Sequence, residues 1–385
     1  MIPLAVPNLA GNEAAYLKEC IDSGFVSSVG PFVGRFEQMV AEASGAPFAV
    51  ATASGTAGLH VALRALGVGP GDLVLVPSLT FIASANAVSY CGAEPWLVDV
   101  DANGWNIDPG LMEELLHREC DIRCGRVRHK TTGKPVTAIM PVHILGEPAP
   151  MDRIVTLAHH FQIPVVADGA AALGARYQGK NVGDLGADVT VFSFNGNKTI
   201  TCGGGGAVVG HDEALLRKVR HLSTTARLGE AYDHDQVGFN YRLTNLQAAV
   251  GCAQLERLDH LVARKRWIRE FYARSLGDIE DVSLFPRSLD GRSAAWFSGI
   301  VLDRATPDRV QDLRLFLRQQ GIEAKPFWKP LHLQDPYRKA LASRQMVSEG
   351  LWYRIVVLPC STTITDAQLE QVVTEVRRGI AALNP

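Results

Sequence analysis

The chain reads Phe192-Ser193-Phe194-Asn195-Gly196-Asn197-Lys198-Thr199 at its most diagnostic point, and four glycines follow at 203–206. Upstream, the apolar stretch 163–167 ends at Asp168. An amine and a carboxylate therefore each stand at the end of a predicted buried strand. Taken singly, they would be interpreted as a surface lysine in a turn and a helix-capping aspartate. As a pair they suit pyridoxal phosphate, because an amine forms a Schiff base with its aldehyde and an anion keeps its pyridine nitrogen protonated.

Short apolar runs alternate with helical patterns along most of the chain. The predicted strands include 48–51, 73–76, 95–98, 138–142, 165–167, 189–192 and 207–209. Because these runs are apolar on both faces, they indicate a largely parallel sheet covered by helices. Ligands bind at the carboxyl ends of the strands in such sheets, and Ser54, Asp168 and Lys198 all fall there.

The same pattern predicts an α/β protein with two domains. A large domain over 1–250 would hold the mostly parallel central sheet, and a smaller α+β domain would occupy 251–385. A long helical pattern over 244–275 crosses between them. The remaining segments of the smaller domain are an apolar run at 296–302 and helical patterns at 308–319 and 366–382.

Composition excludes several classes of function. The 385 residues carry a formal net charge of −2, so no electrostatic footprint for nucleic acid is expected. No apolar run approaches the roughly 20 residues of a membrane span, so we expect a cytoplasmic protein without membrane contact. The seven cysteines are scattered and odd in number, which suits reduced thiols. Cys120 and Cys124 lack a second pair, so no metal site is expected.

A phosphate site is predicted at Ser54-Gly55-Thr56-Ala57, where a strand gives way to a helix. Free N–H groups, hydroxyls and the helix dipole favour an anion there, although an isolated motif of this kind is more often an ordinary N-cap. Ser193 is a candidate for a further hydroxyl at the same phosphate, and Phe81 for a ring stacked on a planar cofactor. Their default interpretations are a backbone-bonded strand serine and a core phenylalanine.

Several motifs, in a fixed order, carry a resemblance to a known family. They are Ser54-Gly55-Thr56-Ala57, Pro77-Ser78-Leu79-Thr80-Phe81, Pro141-Val142-His143, Asp168, Val182-Gly183-Asp184-Leu185-Gly186, Phe192-Ser193-Phe194 with Lys198, and Gly238-Phe239-Asn240-Tyr241-Arg242-Leu243. On these residues the chain resembles the DegT/DnrJ/EryC1/StrS family of pyridoxal phosphate-dependent sugar-nucleotide aminotransferases. The resemblance extends from Ile2 to Ser361, nearly the whole chain.

The resemblance implies fold type I of the pyridoxal phosphate enzymes, the aspartate aminotransferase-like fold, with pyridoxal phosphate as cofactor. Lys198 would form the Schiff base and shuttle protons, and Asp168 would face the pyridine nitrogen. The other implied cofactor-binding residues are Ser54, Gly55, Thr56, Ala57 and Ser193 at the phosphate, Phe81 over the ring, and Asn240 from the neighbouring subunit. The active protein would therefore be a homodimer whose sites are shared across the interface.

One position departs from the family's pattern. Asp168-Gly169-Ala170-Ala171 has alanine where the family has glutamine or glutamate, a polar side chain near the phenolic oxygen of the cofactor. This difference bears on how the Schiff base is tuned rather than on whether it forms. A branch of the family that carries out dehydration has histidine in place of the lysine, so Lys198 indicates amino transfer instead.

Within the family, 194–201 and 325–332 resemble the branch that acts at C4 of UDP-linked 4-keto-6-deoxy-N-acetylhexosamines, in the bacillosamine and legionaminic acid routes. L-Glutamate would donate the amino group. The runner-up is a GDP-perosamine synthase, which uses a GDP-linked 4-keto-6-deoxymannose. The predicted substrate-binding residues are Ser28, His143, Lys329 and His332. For Lys329 and His332, a solvated lysine and a loop histidine are equally good interpretations.

Two other classes of protein stay open on the sequence. A non-catalytic regulator on the same fold would bind the cofactor without turnover, and Ala171 is the feature that favours it. An oxidoreductase of the dinucleotide-binding type is the generic alternative for an α/β chain. It requires Gly-x-Gly-x-x-Gly between a strand and a helix, whereas Gly67-Val68-Gly69-Pro70-Gly71 follows a helix and is predicted to be a turn.

Overall fold

The computed structural model describes residues 1–123, 125–286 and 291–383, so Cys124 lies outside the described residues. The helices are α1 (Glu13–Ser23), α2 (Pro31–Ser44), α3 (Gly55–Ala65), α4 (Ala83–Tyr90), α5 (Pro109–Glu119), α6 (Met151–Phe161), α7 (Glu213–Ser223), α8 (Asn245–Leu255), α9 (Leu258–Leu276), α10 (Pro307–Gln319), α11 (Met346–Leu351) and α12 (Asp366–Leu383). Each helix in this part of the chain is too short or too polar to cross a bilayer.

The strands are short, and most of them alternate with the helices. They are β1 (Phe48–Thr52), β2 (Leu73–Pro77), β3 (Glu94–Val98), β4 (Cys120–Arg123), β5 (Arg126–His129), β6 (Val136–Ile139), β7 (Val166–Asp168), β8 (Arg176–Tyr177), β9 (Lys180–Asn181), β10 (Val189–Ser193), β11 (Gly206–Gly210), β12 (Arg227–Leu228), β13 (Asp233–His234), β14 (Val282–Leu284), β15 (Gly291–Arg292), β16 (Ser298–Leu302), β17 (Lys325–Pro326) and β18 (Ile355–Leu358).

A mostly parallel sheet forms the centre of the larger part of the chain. Its two hydrogen-bonded groups, β1-β11-β10-β7 and β6-β2-β3, meet where β6 and β7 are bridged in parallel at Ile139–Val165 and Val142–Asp168. Neighbouring strands are parallel except at β11, which runs antiparallel to both β1 and β10. The prediction of a mostly parallel sheet is therefore confirmed. The connection from β10 to β11 contains no helix, so it lacks the crossover helix that usually joins parallel strands.

Side chains on β11 alternate between two layers of helices. Val208 belongs to a buried cluster with Leu59 of α3 and with residues of α4 and α7. Its neighbour Val209 belongs to a second cluster, with Phe36 of α2 and Ala248 of α8. Helices therefore cover both faces of the sheet, which explains why the strand sequences are apolar on both faces.

The C-terminal part is built on an antiparallel four-stranded sheet in the order β14-β16-β18-β17. One buried cluster joins Ile300 and Val356 of this sheet to Leu313 of α10 and Val372 of α12. A sheet covered by helices of this kind has the predicted α+β character. The predicted boundary at residue 250 falls inside α8, and the division into two domains stays a prediction.

The first residues of the chain pair with this C-terminal part. Ile2 forms a parallel bridge with Ile322. The Leu4 N–H donates to Oε2 of Glu323 at 2.8 Å, and the Leu4 carbonyl accepts from the Cys360 N–H at 2.8 Å. Leu4 also belongs to the buried cluster of the C-terminal part. The two ends of the chain are thereby joined next to the central sheet.

Candidate active site

A cavity of about 380 Å³ lies at the carboxyl ends of β6, β7 and β10, beside the N-terminus of α3. Eight of the residues that the sequence predicted for the site line it: Ser54, Gly55, Thr56, Phe81, His143, Asp168, Ser193 and Lys198. The C-terminal part contributes further lining residues, among them Trp296, Glu323, Lys325, Phe327 and Trp328. The fold therefore brings strand ends that are far apart in sequence to one place.

The N-terminus of α3 supplies an anion site. Ser54 is the N-cap, and its side-chain oxygen accepts a hydrogen bond from the Ala57 N–H at 3.0 Å. Gly55 and Thr56 occupy the first turn, where helix geometry provides no intrahelical acceptor for the N–H groups. These N–H groups and the positive end of the helix dipole favour a phosphate. Ala57 does not itself line the cavity, and its contact is with the cap.

Two positions beside this anion site require glycine, because neighbouring backbone and side-chain atoms leave no room there for a Cβ. A Cβ on Gly55 would lie 2.9 Å from the Cβ of Ser193. A Cβ on Gly206 would lie 2.5 Å from the carbonyl carbon of Ser54. Neither position has room for a side chain. The glycine run that follows Lys198 in the sequence thus lets β11 pass directly beside the start of α3.

Asp168 ends β7 and is only 5% exposed. The Ser84 hydroxyl donates to its Oδ2 at 2.7 Å, and the Ala170 N–H donates to its Oδ1 at 3.0 Å. Burial raises the pKa of the Asp168 carboxyl, while these hydrogen bonds and the charge of Lys198 act in the opposite direction. A desolvated carboxylate of this kind is stabilised by a cationic partner, and a protonated pyridine nitrogen is one.

Lys198 lies in the connection between β10 and β11, with Nζ 3.5 Å from the centroid of the Trp296 ring. The Trp296 indole donates from Nε1 to the Asn197 carbonyl at 2.7 Å, which holds the ring against the lysine segment. Burial lowers the pKa of the Lys198 ammonium to about 8, although the charge of Asp168 opposes this effect. More of this amine is therefore neutral near physiological pH than of an ordinary lysine, and the neutral amine is the nucleophile that an aldehyde requires.

His143 follows β6 and is fully buried. Its backbone N–H donates to the Asp168 carbonyl at 2.9 Å, and its Nδ1 accepts from the Ala149 N–H at 3.0 Å. Burial lowers the pKa of the imidazole to about 4, so the ring is neutral at physiological pH. The other ring nitrogen, Nε2, is buried and has no hydrogen-bond partner among the described residues.

Aromatic rings and one ion pair line another part of the cavity. Phe81 is 55% exposed, and its ring centroid lies 5.9 Å from that of Trp328. The Trp328 and Phe327 rings are stacked, with centroids 4.8 Å apart. Lys325 pairs with Glu323 at 2.9 Å and keeps most of its side chain exposed. These groups offer a second ligand both flat apolar contacts and a positive charge.

Besides Ala57, four predicted residues do not line the cavity: Ser28, Asn240, Lys329 and His332. Both ring nitrogens of His332 are engaged, Nδ1 with the Ser78 hydroxyl at 2.6 Å and Nε2 with Glu349 Oε1 at 3.0 Å. Asn240 is exposed, and its Oδ1 accepts from the Arg242 guanidinium at 3.2 Å. The predicted role of Asn240 needs a neighbouring subunit. The roles given to these four residues stay predictions.

Two residues of the site were missed in the sequence. Trp296 contacts Lys198, and Ser84 donates to Asp168, each across a long separation in sequence. A tryptophan in an apolar run and a serine at a helix start are by default a core residue and a cap residue. The one signal for Ser84 is its place just after Phe81, whereas nothing local distinguishes Trp296.

The residues present fit pyridoxal phosphate group by group. The N-terminus of α3 suits the phosphate, Lys198 suits the aldehyde, and Asp168 suits the ring nitrogen. The desolvated carboxylate of Asp168 and the unpartnered Nε2 of His143 are polar atoms that a polar ring in this cavity would satisfy.

Comparison with known proteins points to the same chemistry. The family model described as the DegT/DnrJ/EryC1/StrS aminotransferase family matches residues 7–377. A GDP-perosamine synthase of Caulobacter vibrioides is 39% identical to the chain over 381 residues, which are 97% of this chain and 96% of that protein. A GDP-perosamine synthase of Escherichia coli O157:H7 is 37% identical over 369 residues, which are 96% of this chain and 95% of that protein.

The fold is shared with solved aminotransferases. The aminotransferase TlmJ from Streptoalloteichus hindustanus has a TM-score of 0.89 to this chain at 28% sequence identity, and the match covers 100% of both chains. The predicted fold type I is confirmed, the protein is an aminotransferase, and its cofactor is pyridoxal phosphate. The chain belongs to the DegT/DnrJ/EryC1/StrS aminotransferase family.

Proposed function

We propose that this aminotransferase moves an amino group from L-glutamate to C4 of a nucleotide-linked 4-keto-6-deoxy sugar. The observation that carries the proposal is the meeting of Lys198 and Asp168 in one cavity, beside an anion site at the start of α3. When bound, pyridoxal phosphate carries the amino group between the two substrates and stabilises the negative charge that develops on carbon. The protein itself binds, orients and moves protons.

Lys198 Nζ is the proposed proton carrier of the site. Its pKa of about 8 lets this nitrogen accept and return a proton near neutral pH. The Trp296 ring, 3.5 Å from Nζ, restricts where the side chain can lie and attracts its protonated form. The nitrogen is therefore kept in one place in both of its charge states.

Asp168 and the start of α3 fix the two ends of the cofactor in this proposal. Asp168 would face the ring nitrogen, with its two oxygens oriented by the Ser84 hydroxyl and the Ala170 N–H. The phosphate would bind in the first turn of α3. With both ends held, the reacting carbon stays within reach of Lys198, and such positioning is itself a large part of catalysis.

The open side of the cavity supports a bulky second substrate. Phe81 is more than half exposed and Lys325 keeps most of its side chain in solvent. A nucleotide sugar presents flat rings and a diphosphate, and both find suitable partners in exposed aromatic side chains and a lysine.

For the nucleotide sugar itself, we propose the GDP-linked 4-keto-6-deoxymannose as the first candidate. Relatives that are 39% and 37% identical over almost the whole chain are GDP-perosamine synthases. The motifs at 194–201 and 325–332 favour the UDP-linked 4-keto-6-deoxy-N-acetylhexosamine, which is the second candidate. The two sugars differ at C2, where one has a hydroxyl and the other an acetamido group.

We expect kcat/KM to differ between these sugars by about a hundredfold or more, in favour of the GDP-linked sugar. A buried site that suits a hydroxyl leaves the polar atoms of an acetamido group without partners. Both sugars are assayed with glutamate, and the reaction of glutamate alone with the bound cofactor is the control, because it involves neither sugar. Preference for the UDP-linked sugar would make the second candidate the substrate. Reaction with neither sugar, while glutamate still reacts, would refute the proposed substrate class.

We also propose a cytoplasmic location. The six cysteines in the described part of the chain are free and buried. Scattered free thiols are typical of proteins that work in a reducing compartment. The proposal rests on this cysteine chemistry together with the sequence composition.

We propose that the active form is a homodimer with shared sites. In one chain, Phe25 and Val29 are exposed apolar side chains, and so are Tyr232 and Val237. Asn245 ties the first of these segments to the start of α8, because its Nδ2 donates to the Phe25 carbonyl at 2.8 Å. Clustered exposed apolar side chains on a soluble domain mark interaction surfaces, and a second copy of the chain is the proposed partner.

Mixing two inactive variants should restore activity if each site takes Lys198 from one chain and Asn240 from the other. One variant is Lys198→Ala, and the other is Asn240→Asp, which would set a carboxylate against the cofactor phosphate. In a hybrid dimer, one of the two sites has both native residues. Random pairing of equal amounts should therefore give about one quarter of the native activity. Activity at the level of the separate variants, or a fully active monomer in sedimentation, would contradict shared sites.

A further inference from the structure

We propose that His143 binds the cofactor, by donating a hydrogen bond from Nε2 to the ring oxygen of pyridoxal phosphate. The sequence alone predicts a substrate-binding role for His143 instead. The inference rests on the placement of Lys198 and Asp168 proposed above, and it does not depend on which sugar is the substrate.

The hydrogen bonds of His143 determine which ring nitrogen carries the proton. Nδ1 accepts from the Ala149 N–H at 3.0 Å, so Nδ1 has no hydrogen of its own in this arrangement. Burial lowers the pKa of the imidazole to about 4, which leaves a single ring proton at neutral pH. That proton is therefore on Nε2, and the ring is a neutral donor at this atom.

From the Nδ1 contact we infer that the Nε2 edge of the ring is on the cavity side. Ala149 lies in the buried cluster behind β6, with Trp96 and Leu115, and it does not line the cavity. Since Nδ1 points to Ala149, the opposite edge is turned towards the cavity that His143 lines. Nε2 is buried and has no partner among the described residues, and a buried donor without an acceptor costs free energy. A ligand acceptor would remove that cost.

The order of the strands predicts which part of the cofactor meets His143. In the sheet, β1 and β10 lie on one side of β7, and β6 lies on the other. The phosphate site belongs to the first side, because Ser54 follows β1 and Ser193 ends β10. In pyridoxal phosphate, the phosphate arm and the ring oxygen flank the carbon that reacts with the lysine. With the phosphate towards β1 and β10, the ring oxygen points towards β6 and His143.

On that side of Asp168, the cavity-lining residues with polar side chains are His143 and Thr80, and the Thr80 hydroxyl already lies 3.3 Å from the Ser84 hydroxyl. Besides Asp168 itself, the lining residues that directly follow β6 and β7 are Val142, His143, Ile144, Leu145, Ala170 and Ala171. His143 alone among them has a polar side chain. The backbone N–H of His143 donates to the Asp168 carbonyl at 2.9 Å, and this hydrogen bond holds the two residues next to each other.

Two substitutions separate the two ring nitrogens of His143. His143→Asn places an amide near Nδ1, so it can keep the bond from Ala149, but it does not reach the Nε2 position. His143→Gln reaches the Nε2 position with an N–H donor and gives up the contact with Ala149. The readout is the absorption spectrum of cofactor-loaded protein as a function of pH, without substrate. Both variants leave the other titratable side chains of the cavity in place, namely Asp168, Lys198, Glu323 and Lys325.

A donor to the ring oxygen stabilises its ionised form, so loss of the donor should raise the pH at which the bound cofactor gives up its proton. We expect His143→Asn to raise the apparent pKa of the spectral change by about one unit, and His143→Gln to stay near the native value. The affinity of the apoprotein for pyridoxal phosphate, measured by titration, should fall in the same order.

Two results would overturn the proposal. An unchanged spectrum and cofactor affinity in His143→Asn, with a raised KM for the sugar, would assign His143 to the substrate. If the apparent pKa shifted equally in both variants and both melting temperatures fell, His143 would have a structural role at the end of β6 instead. Failure of the sugar assignment would leave this test unaffected, because the test uses only protein and cofactor.

Discussion

Lys198→Ala should lower the rate of transamination by about 10⁴-fold while the protein stays folded. The substitution removes the amine that holds the cofactor and the nitrogen that accepts and returns a proton. Pyridoxal phosphate should still bind through the start of α3, but dialysis should now remove it. Steady-state rates, and absorbance before and after dialysis, measure the two effects.

Lys218→Ala is the matched control for this experiment, because Lys218 is an exposed lysine on α7, which lies away from the cavity lining. It should keep both the native rate and the bound cofactor. Near-native turnover in Lys198→Ala would show that a different amine holds the cofactor. Lys325, the other lysine that lines the cavity, would then be the residue to replace.

Asp168→Asn should slow both half-reactions by about 10²–10³-fold. The amide can keep the local contacts, since Oδ1 can accept from the Ala170 N–H and Nδ2 can donate to the Ser84 hydroxyl. The substitution removes the negative charge of the carboxylate that would face the ring nitrogen. Single-turnover absorbance with glutamate, and then with the keto sugar, measures each half-reaction separately. Native rates in both would show that Asp168 does not face the ring.

The same substitution should not destabilise the cofactor-free protein. Burial raises the pKa of Asp168 in the folded state above its ordinary value, so the ionised carboxylate costs folding free energy once the pH exceeds that value. Asparagine removes this cost. We therefore expect the cofactor-free variant to have a Tm at pH 8 equal to or above the native Tm, with the difference disappearing in acid below the unfolded pKa. A lowered Tm would instead give Asp168 a structural role.

The central sheet and its two strand-end residues were predictable because each leaves a local pattern. Strands buried on both faces have continuous apolar sequences, and Asp168 interrupts such a run at its end. Lys198 precedes a run of glycines, and the structure shows that one of them, Gly206, has no room for a Cβ. The reversed direction of β11 goes with a connection after β10 that contains no helix, and it was not predicted from the sequence.

Other features of the site were not predictable because they arise from contacts between distant parts of the chain. Trp296 acquires its role from Lys198 and Asn197, which come from another part of the fold. The role proposed for His143 rests on Nε2, which has no hydrogen-bond partner among the described residues. A sequence motif does not show which ring nitrogen of a histidine is hydrogen-bonded. The predicted role of Asn240 requires a second chain, so the structure of a single chain does not test it.

The contact between the beginning and the end of the chain has a consequence for biogenesis. Leu4 lines the cavity, but it is held by Glu323, 319 residues further along, and by Cys360. A ribosome releases Leu4 long before these partners, so Leu4 cannot make these contacts while the strands around Asp168 and Lys198 emerge. Bringing such distant segments together is slow compared with local folding. The nascent enzyme therefore completes the part of its cavity formed by Leu4 only after synthesis has passed Cys360, and a bulky group attached just before Leu4 would lie beside this part of the cavity.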